Sequence, residues 1–426
     1  MLASIIAAFK LPDLRKRILF VFGMFAVFVV GLHIPVPGID REAMQRLFET
    51  GTLFGLMDVF SGGALRKFTV FAMGIAPYIT ASIIMQLLTV AIPSLEALAK
   101  EGEHGRKKIS QYTRYLTIAL AFMQALGMNT VLQRYGVLVA TPFLKIQIVI
   151  TLTAGTAFLM WVGEQITDKG IGNGVSLVIF TGIVATLPYQ LGETGRYALQ
   201  GAIKIHQLGL MVSLFLGTVV AIVAIQQAQR KIPIQHVKRV VGTKVYGGST
   251  SFLPLRVNSA GVIPIIFAIS IQLLPLTFAQ LVGTGSRFGQ MLNTIADACQ
   301  PGRSVWAAVV YAGFIIFFTY FYTAVTFNVP EVADNLRKYG SFIPGIRPGK
   351  PTLEYLDRVM SRITLPGAIF LAGIALMQYW SQRITGVATF SLVGGTSLLI
   401  VVGVALETMQ AIEAHLLMRH YEGFIK

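Results

Sequence analysis

The chain has 426 residues, 54% of them hydrophobic and only 13% charged, against about 25% charged in an average soluble domain. That balance excludes an ordinary soluble domain and predicts a polytopic membrane protein, in which a net charge of +16 reports orientation before it reports nucleic acid. The single cysteine, Cys299, excludes a disulfide within the chain and argues against redox work.

The first apolar run, 18–34, covers 17 residues. As helix it is about 25 Å long and just reaches across a hydrocarbon core of about 30 Å. It lacks a small-residue cleavage site and runs into Pro35-Val36-Pro37-Gly38, so it reads as a span rather than a cleaved signal peptide. A short apolar piece, Leu53 to Phe60, follows; it is too short to cross a bilayer and breaks at Ser61-Gly62-Gly63. After the basic pair Arg66-Lys67 comes a full-length run, 68–92, with Gly74 and Pro77 inside it. Two readings stand. The short piece is either a re-entrant segment in a cavity, where buried non-helical backbone is tolerated, or an interfacial helix before an ordinary span. Further spans are predicted at 115–133, 143–163, 175–191, 208–226, 259–282, 305–328, 364–380 and 392–410, making ten.

With the amino terminus inside, the inside segments hold 24 of the 35 Lys and Arg residues. The bias predicts that both termini are cytoplasmic. Trp306 and Trp380 at outer span ends and Trp161 near an inner one suit an aromatic belt. Two inside loops are long. Residues 227–258 carry Arg230, Lys231, Lys238, Arg239, Lys244 and Arg256 with no acid, and their alternation around a glycine predicts a projecting hairpin. Residues 329–363 contain FIPGIRPGKPT, whose prolines and glycines make a stiff irregular tip around Arg347. Topology alone would explain the charge. It does not require the length or the rigid tip, which suit a docking surface.

Ionisable residues are scarce in the spans: Lys145, Glu164 and Glu407 lie near span ends. That argues against a proton-coupled transporter, since such groups mark ion pathways. Buried amides and hydroxyls (Thr80, Ser82, Gln86, Asn258 and Gln272) can join helices or merely bond backbone. Ile75, Ile79 and Ile83 form a stripe at i, i+4, i+8, and Val175 and Ile179 repeat the spacing. Isoleucine is common in any span, so the stripe reads as ordinary packing; facing a pore, it would gate by dewetting. Gly170-Ile171-Gly172-Asn173-Gly174 lacks the preceding strand and the Lys-Ser/Thr of a phosphate loop and reads as a tight turn opening the fifth helix. Glu101-Gly102-Glu103-His104-Gly105 reads as a solvated turn. HExxH and GxSxG are absent. A secondary transporter of small solutes is the alternative class, and it should carry charged midplane groups.

Several long segments, in order, resemble the SecY family of protein-conducting channels. They are FSGGALRKFTVFAMGIAPYITASIIMQLLTV, KEGEHGRKKISQYTRY, LMWVGEQITDKGIGNGVSL, LPLRVNSAGVIP, FIPGIRPGKPT and GGTSLLIVV. The resemblance covers nearly the whole chain. It implies an all-α membrane protein of ten helices in two pseudo-symmetric halves, 1–191 and 192–426, around an hourglass pore in the cytoplasmic membrane. It implies a plug over about 53–67, with Leu53, Phe54, Leu56, Met57, Phe60, Ser61, Gly62 and Gly63, hinged at the Ser-Gly-Gly run. It maps a pore ring onto Ile75, Ile79, Val175, Ile179, Ile266 and Ile400, with Val175 where isoleucine is common. It maps a lateral gate with Asn258 and Gln86, and docking residues Arg230, Lys238, Arg239 and Arg347. The implied partners are SecE and SecG subunits, the SecA motor ATPase, the ribosome, signal peptides with their nascent chains, and lipid. No cofactor and no catalytic residue are expected.

Overall fold

A computed structural model describes residues 2–40, 43–44, 58, 61–134, 136–138, 141–201, 203–236, 239–241, 244–246, 250–282, 287–298, 304–386 and 395–422. Helices α1 (Leu2–Lys10) and α2 (Pro12–Gly31) open the chain. They lead through an irregular stretch to α3 (Ala76–Ala91), α4 (Pro93–Lys100), α5 (Glu103–Arg134), α6 (Pro142–Lys169), α7 (Gly174–Leu199) and α8 (Ile205–Gln227). Strands β1 (Gln229–His236), β2 (Arg239–Val241), β3 (Lys244–Tyr246) and β4 (Thr250–Arg256) follow. The chain continues with α9 (Ile263–Val282), α10 (Arg287–Ala298), α11 (Val305–Thr326), α12 (Val329–Lys338), β5 (Ser341–Phe342), α13 (Lys350–Thr385) and α14 (Thr396–Glu422).

Among the described residues, seven helical stretches are long and apolar enough to cross a membrane, or eight if α3 and α4, bent by 100° at their break, form one span. The protein is a multi-pass helical membrane protein, as its composition predicts. Helix α2 falls outside that count because Arg15, Lys16 and Arg17 precede its apolar run.

Three helix starts depart from the apolar runs by eight residues or more. The helix expected over 68–92 starts only at Ala76. Residues 61–75 form successive turns, closed by bonds such as Phe68 N to Leu65 O (3.1 Å), Ala72 N to Thr69 O (2.8 Å) and Gly74 N to Phe71 O (2.8 Å). Gly62, Gly63, Phe68 and Gly74 have positive φ, which no right-handed helix accepts. Pro77, which has no N–H to give, sits in the first turn where none is needed. The other departures lengthen helices. α5 begins at Glu103, not 115, and α13 at Lys350, not 364. Each starts just after a left-handed glycine, Gly102 or Gly349, and Pro351 falls in the first turn of α13, where a proline is tolerated. The expected turn over 101–105 is thus only Glu101-Gly102.

The irregular stretch is held by protein on its buried side, while Arg66 and Lys67 are exposed. Val36 N donates to Phe68 O and Val70 N to Ile34 O, both at 3.0 Å, strapping it to the exit of α2. Its backbone lies directly on α6: a Cβ on Gly155 would stand 2.1 Å from the Val70 carbonyl oxygen. Phe71 stacks between Phe28 and Phe158, with ring centres 5.8 and 6.0 Å away. Bonded and buried in this way, non-helical backbone is stable without water.

The predicted hairpin is present. β1 and β4 pair antiparallel from Gln229↔Arg256 to Gln235↔Thr250, and β2 pairs with β3 beyond them. β5 joins the other edge of β1 through Gln235↔Phe342 and His236↔Ser341, which the sequence did not foretell. A small core of Ile232, Leu255, Ile343, Leu356 and Met360 lies beneath the sheet. The main apolar cluster draws on α2, α3, α6 to α9, α11, α13 and α14. A third cluster joins α1 to α14 through Ala8, Leu14, Ile171 and Ile412.

Candidate functional site

All six predicted ring positions lie near the amino-terminal ends of four helices. Ile75 caps α3 and Ile79 follows one turn on, its N–H bonded to Ile75 O at 3.1 Å. Val175 and Ile179 occupy the first two turns of α7. That helix starts where it does because Asn173 Oδ1 accepts from Val175 N (3.0 Å) and Ser176 N (3.2 Å), an N-cap. The glycine-rich turn before it is needed for close packing: a Cβ on Gly174 would stand 1.8 Å from Gly163 O. Ile266 lies in the first turn of α9 and Ile400 in the second turn of α14. Ile75, Ile79, Ile179, Ile266 and Ile400 are all buried in the one main cluster, and Val175 packs against it. Ala64 of the irregular stretch belongs to the same cluster, as do Ile83 and Ile183 one turn farther along the two stripes.

Of the plug residues, Ser61, Gly62 and Gly63 are described; Leu53, Phe54, Leu56, Met57 and Phe60 lie outside the described residues. Ser61 is buried, donates to Asp58 O (3.0 Å) and accepts from Leu65 N (3.2 Å). Asp58 Oδ1 accepts from Arg66 N at 2.8 Å. Burial raises the Asp58 carboxyl to about 6, against the lowering pull of those bonds and of the Arg66 charge.

The two gate candidates sit on packed partners, since α9 lies against both α3 and α5. Asn258 is buried in the turn before α9. Its Nδ2 donates to Gly261 O at 3.0 Å, and its Oδ1 has no hydrogen-bond partner. Gln86 Oε1 on α3 is likewise buried without one. Glu164, the acid expected at a span edge, pairs with Arg114 of α5 at 2.7 Å. Among the described residues no cluster of His, Cys, Asp and Glu could hold a metal.

At the sheet, Arg230 and Arg347 are exposed. Lys238 lies outside the described residues, and Arg239 is described by its backbone in β2. The 343–349 tip is irregular, as predicted. Gly345 and Gly349 turn left-handed there, and the Arg347 carbonyl accepts from Thr352 Oγ1 at 2.8 Å. Sequence reasoning missed His236, which ties the two loops together. Its Nε2 lies 2.9 Å from Ser251 Oγ on β4 and its Nδ1 2.8 Å from Ser341 Oγ on β5. A lone histidine in a basic strand carries no local mark of such a role.

The SecY family profile matches residues 69–409. The chain belongs to the SecY family. It is 46% identical to protein translocase subunit SecY of Streptomyces scabiei, with all of both chains covered. It is 44% identical to that of Thermotoga maritima, over 98% of this chain and 96% of the relative. In solved structures its fold resembles a protein-conducting channel at 19% identity, TM-score 0.66, with 94% and 92% of the two chains covered. It also resembles canine Sec61 of a ribosome–channel complex at 17% identity, TM-score 0.63, with the same coverage. Members of this family are protein-conducting channels, not enzymes.

Proposed function

We propose that the chain is the pore-forming subunit of a translocase that passes secretory polypeptides across the cytoplasmic membrane and releases membrane segments sideways into it. The observation that supports the reading is that Ile75, Ile79, Ile179, Ile266 and Ile400 are buried in the main apolar cluster, which Ala64 also joins and against which Val175 packs. A seal for chains of every chemistry has to hold none of them. An apolar ring makes no hydrogen bonds, fits around a chain, and offers ions nothing in place of their hydration shell.

In this reading ten helices cross the bilayer, with α2 and α9 added to the eight spans above. They form halves 1–191 and 192–426 that hinge between α7 and α8, and residues 53–67 plug the pore from outside. The packing of α1 on α14 supports placing both ends of the chain on one side, the cytoplasm. A signal peptide, itself an apolar helix, enters between α3 with α5 and α9 with α11, and Asn258 and Gln86 tune that seam. Arg347 and the basic hairpin dock the energy source, a SecA motor or a ribosome, while SecE and SecG complete the channel.

A photoreactive residue at position 79, facing a stalled secretory precursor in membranes, tests the pore. Crosslinks to hydrophilic mature parts of the precursor are expected. Their absence, with good crosslinking from position 347 to the motor, would mean that the ring faces elsewhere.

A further inference from the structure

Two of the helices that carry ring positions begin in the same way. α7 starts just after Gly172 and α9 just after Gly261, and both glycines are left-handed, with φ of +87° and +64°. An asparagine fixes each turn: Asn173 caps α7, and Asn258 Nδ2 donates to Gly261 O at 3.0 Å. Both turns rest on one short piece of α14. A Cβ on Gly172 would stand 3.3 Å from Thr408 Oγ1, and a Cβ on Gly261 would stand 2.7 Å from Glu407 Oε1. One turn back along α14, a Cβ on Gly403 would stand 2.7 Å from Val262 Cγ1 and 3.2 Å from Gln226 Nε2 of α8. Neighbouring residues of a single helix thus touch the starts of two others.

These contacts leave little slack. Left-handed backbone at 172 and 261 favours glycine alone, and the buried pair Gly403 and Val262 has no room for one more methyl. Thr408 is itself held, its Oγ1 donating to Val404 O at 2.7 Å. On one side Ile171 and Ile412 are buried in a cluster with Ala8 and Leu14. On the other, Val262 and Val404 belong to the main cluster that holds the ring positions. α7 and α9 lead away from this place and α14 leads toward it. Ile179 follows Gly172 by seven residues, Ile266 follows Gly261 by five, and Ile400 precedes Glu407 by seven. At about 1.5 Å of rise per residue, the three stand about 8–11 Å from the contact and so at a common level.

We propose that Gly403, Glu407 and Thr408 form a shared seat that sets the level of the ring: they fix where α7 and α9 begin and so bring Ile179 and Ile266 level with Ile400. They are positioning residues, acting through the two glycine turns. The inference rests on the ring reading above.

The test uses the whole translocase in reconstituted vesicles and reads resting ion leak, motor affinity and heat stability. Gly403→Ala drives a methyl against Val262 Cγ1. It is expected to raise the leak several-fold, with motor affinity and heat stability unchanged. Val262→Ala removes the atom that the new methyl meets, so adding it to Gly403→Ala is expected to bring the leak back near the unaltered value. An assembled Gly403→Ala channel that stays tight overturns the seat. So does a double variant that leaks as much as the single one, which would mark a general packing defect. Thr408→Leu crowds the α7 turn instead; its leak is expected to rise and to persist when Val262→Ala is added, and a tight Thr408→Leu channel overturns the seat by itself. Ile266→Gly with Ile400→Gly is measured in parallel. If that channel leaks while the Gly403→Ala and Thr408→Leu channels stay tight, only the seat fails. If it stays tight, the ring reading fails and this inference with it.

Discussion

Ile79 and Ile179 lie in the main buried apolar cluster, while around His236 the contacts are strand pairing and side-chain hydrogen bonds. Apolar packing asks for no directional geometry; dispersion and exclusion of water hold it together. Strand pairing and hydrogen bonds fix distance and direction, which is what the proposed docking role needs. The contrast teaches why the two sites tolerate different changes. Apolar contacts lose stability gradually with volume, whereas a rigid charged tip loses its partner when the sign of one charge reverses.

Arg347→Glu gives the largest expected effect and breaks the comparison at its docking end. Motor-driven translocation should be lost, while assembly and resting ion leak stay as in the unaltered channel. Persisting motor-dependent transport would place the dock elsewhere. Asn258→Leu comes next and acts at the seam. The orphan Asn258 Oδ1 penalises the packed seam by about 1–3 kcal/mol, more than the roughly 1 kcal/mol from its Nδ2 bond to Gly261 O. Leucine should therefore favour the closed gate and depress export of precursors with weak signal sequences. A secretion assay with graded signals checks this, and equal export of weak and strong signals by both channels would refute it.

His236→Ala sharpens the comparison, because it loosens the platform without touching the apolar cluster. Two hydrogen bonds at about 1 kcal/mol each are lost. Motor affinity should fall several-fold with no change in ion leak, and His236→Gln should restore part of it. A leak that rises along with the affinity loss would mean that the two regions are not independent. The smallest effect is one of pH. Burial raises the Asp58 carboxyl to about 6 from the ordinary 3.8. Protonation therefore favours the folded turn that Asp58 forms with Ser61, Gly63 and Arg66: the turn gains stability as pH falls through 6 and loses it as pH rises. Resting leak should drop modestly when the outer solution goes from pH 7.5 to about 5.5, and Asp58→Asn should remove that dependence. A variant that keeps the full pH response would assign it to another group.

Local chemistry made much of this legible before any fold was known. The apolar runs are set by bilayer thickness. The hairpin strands show in their alternation, and the glycine turn before α7 carries its own cap in Asn173. The Arg347 tip shows in its prolines and glycines. Each of these signals lies within one short stretch of chain and depends on little outside it. The failure over residues 68–75 is instructive for the same reason. Their composition suits a helix, and only the left-handed Phe68 and Gly74, held by packing on α2 and α6, forbid one.

What only the tertiary structure decided is which faces meet. A span is apolar toward lipid and apolar toward protein, so its sequence does not mark the side that carries Ile179 into the buried cluster. Gly62 meets Gly182 because neither has a side chain, yet a glycine in sequence reads equally as hinge, turn or close approach. His236 and Ser341 stand 105 residues apart and become neighbours through strand pairing that neither segment specifies alone. The sequence by itself determined the membrane class, most of the spans, the hairpin and the charged tip, since those follow from length, charge and local turn chemistry. The burial of Ile75, Ile79, Ile179, Ile266 and Ile400 in one cluster, the approach of Gly62 to Gly182 and the joining of two loops into one sheet required the fold, because each is a contact between surfaces that look alike until they are brought together.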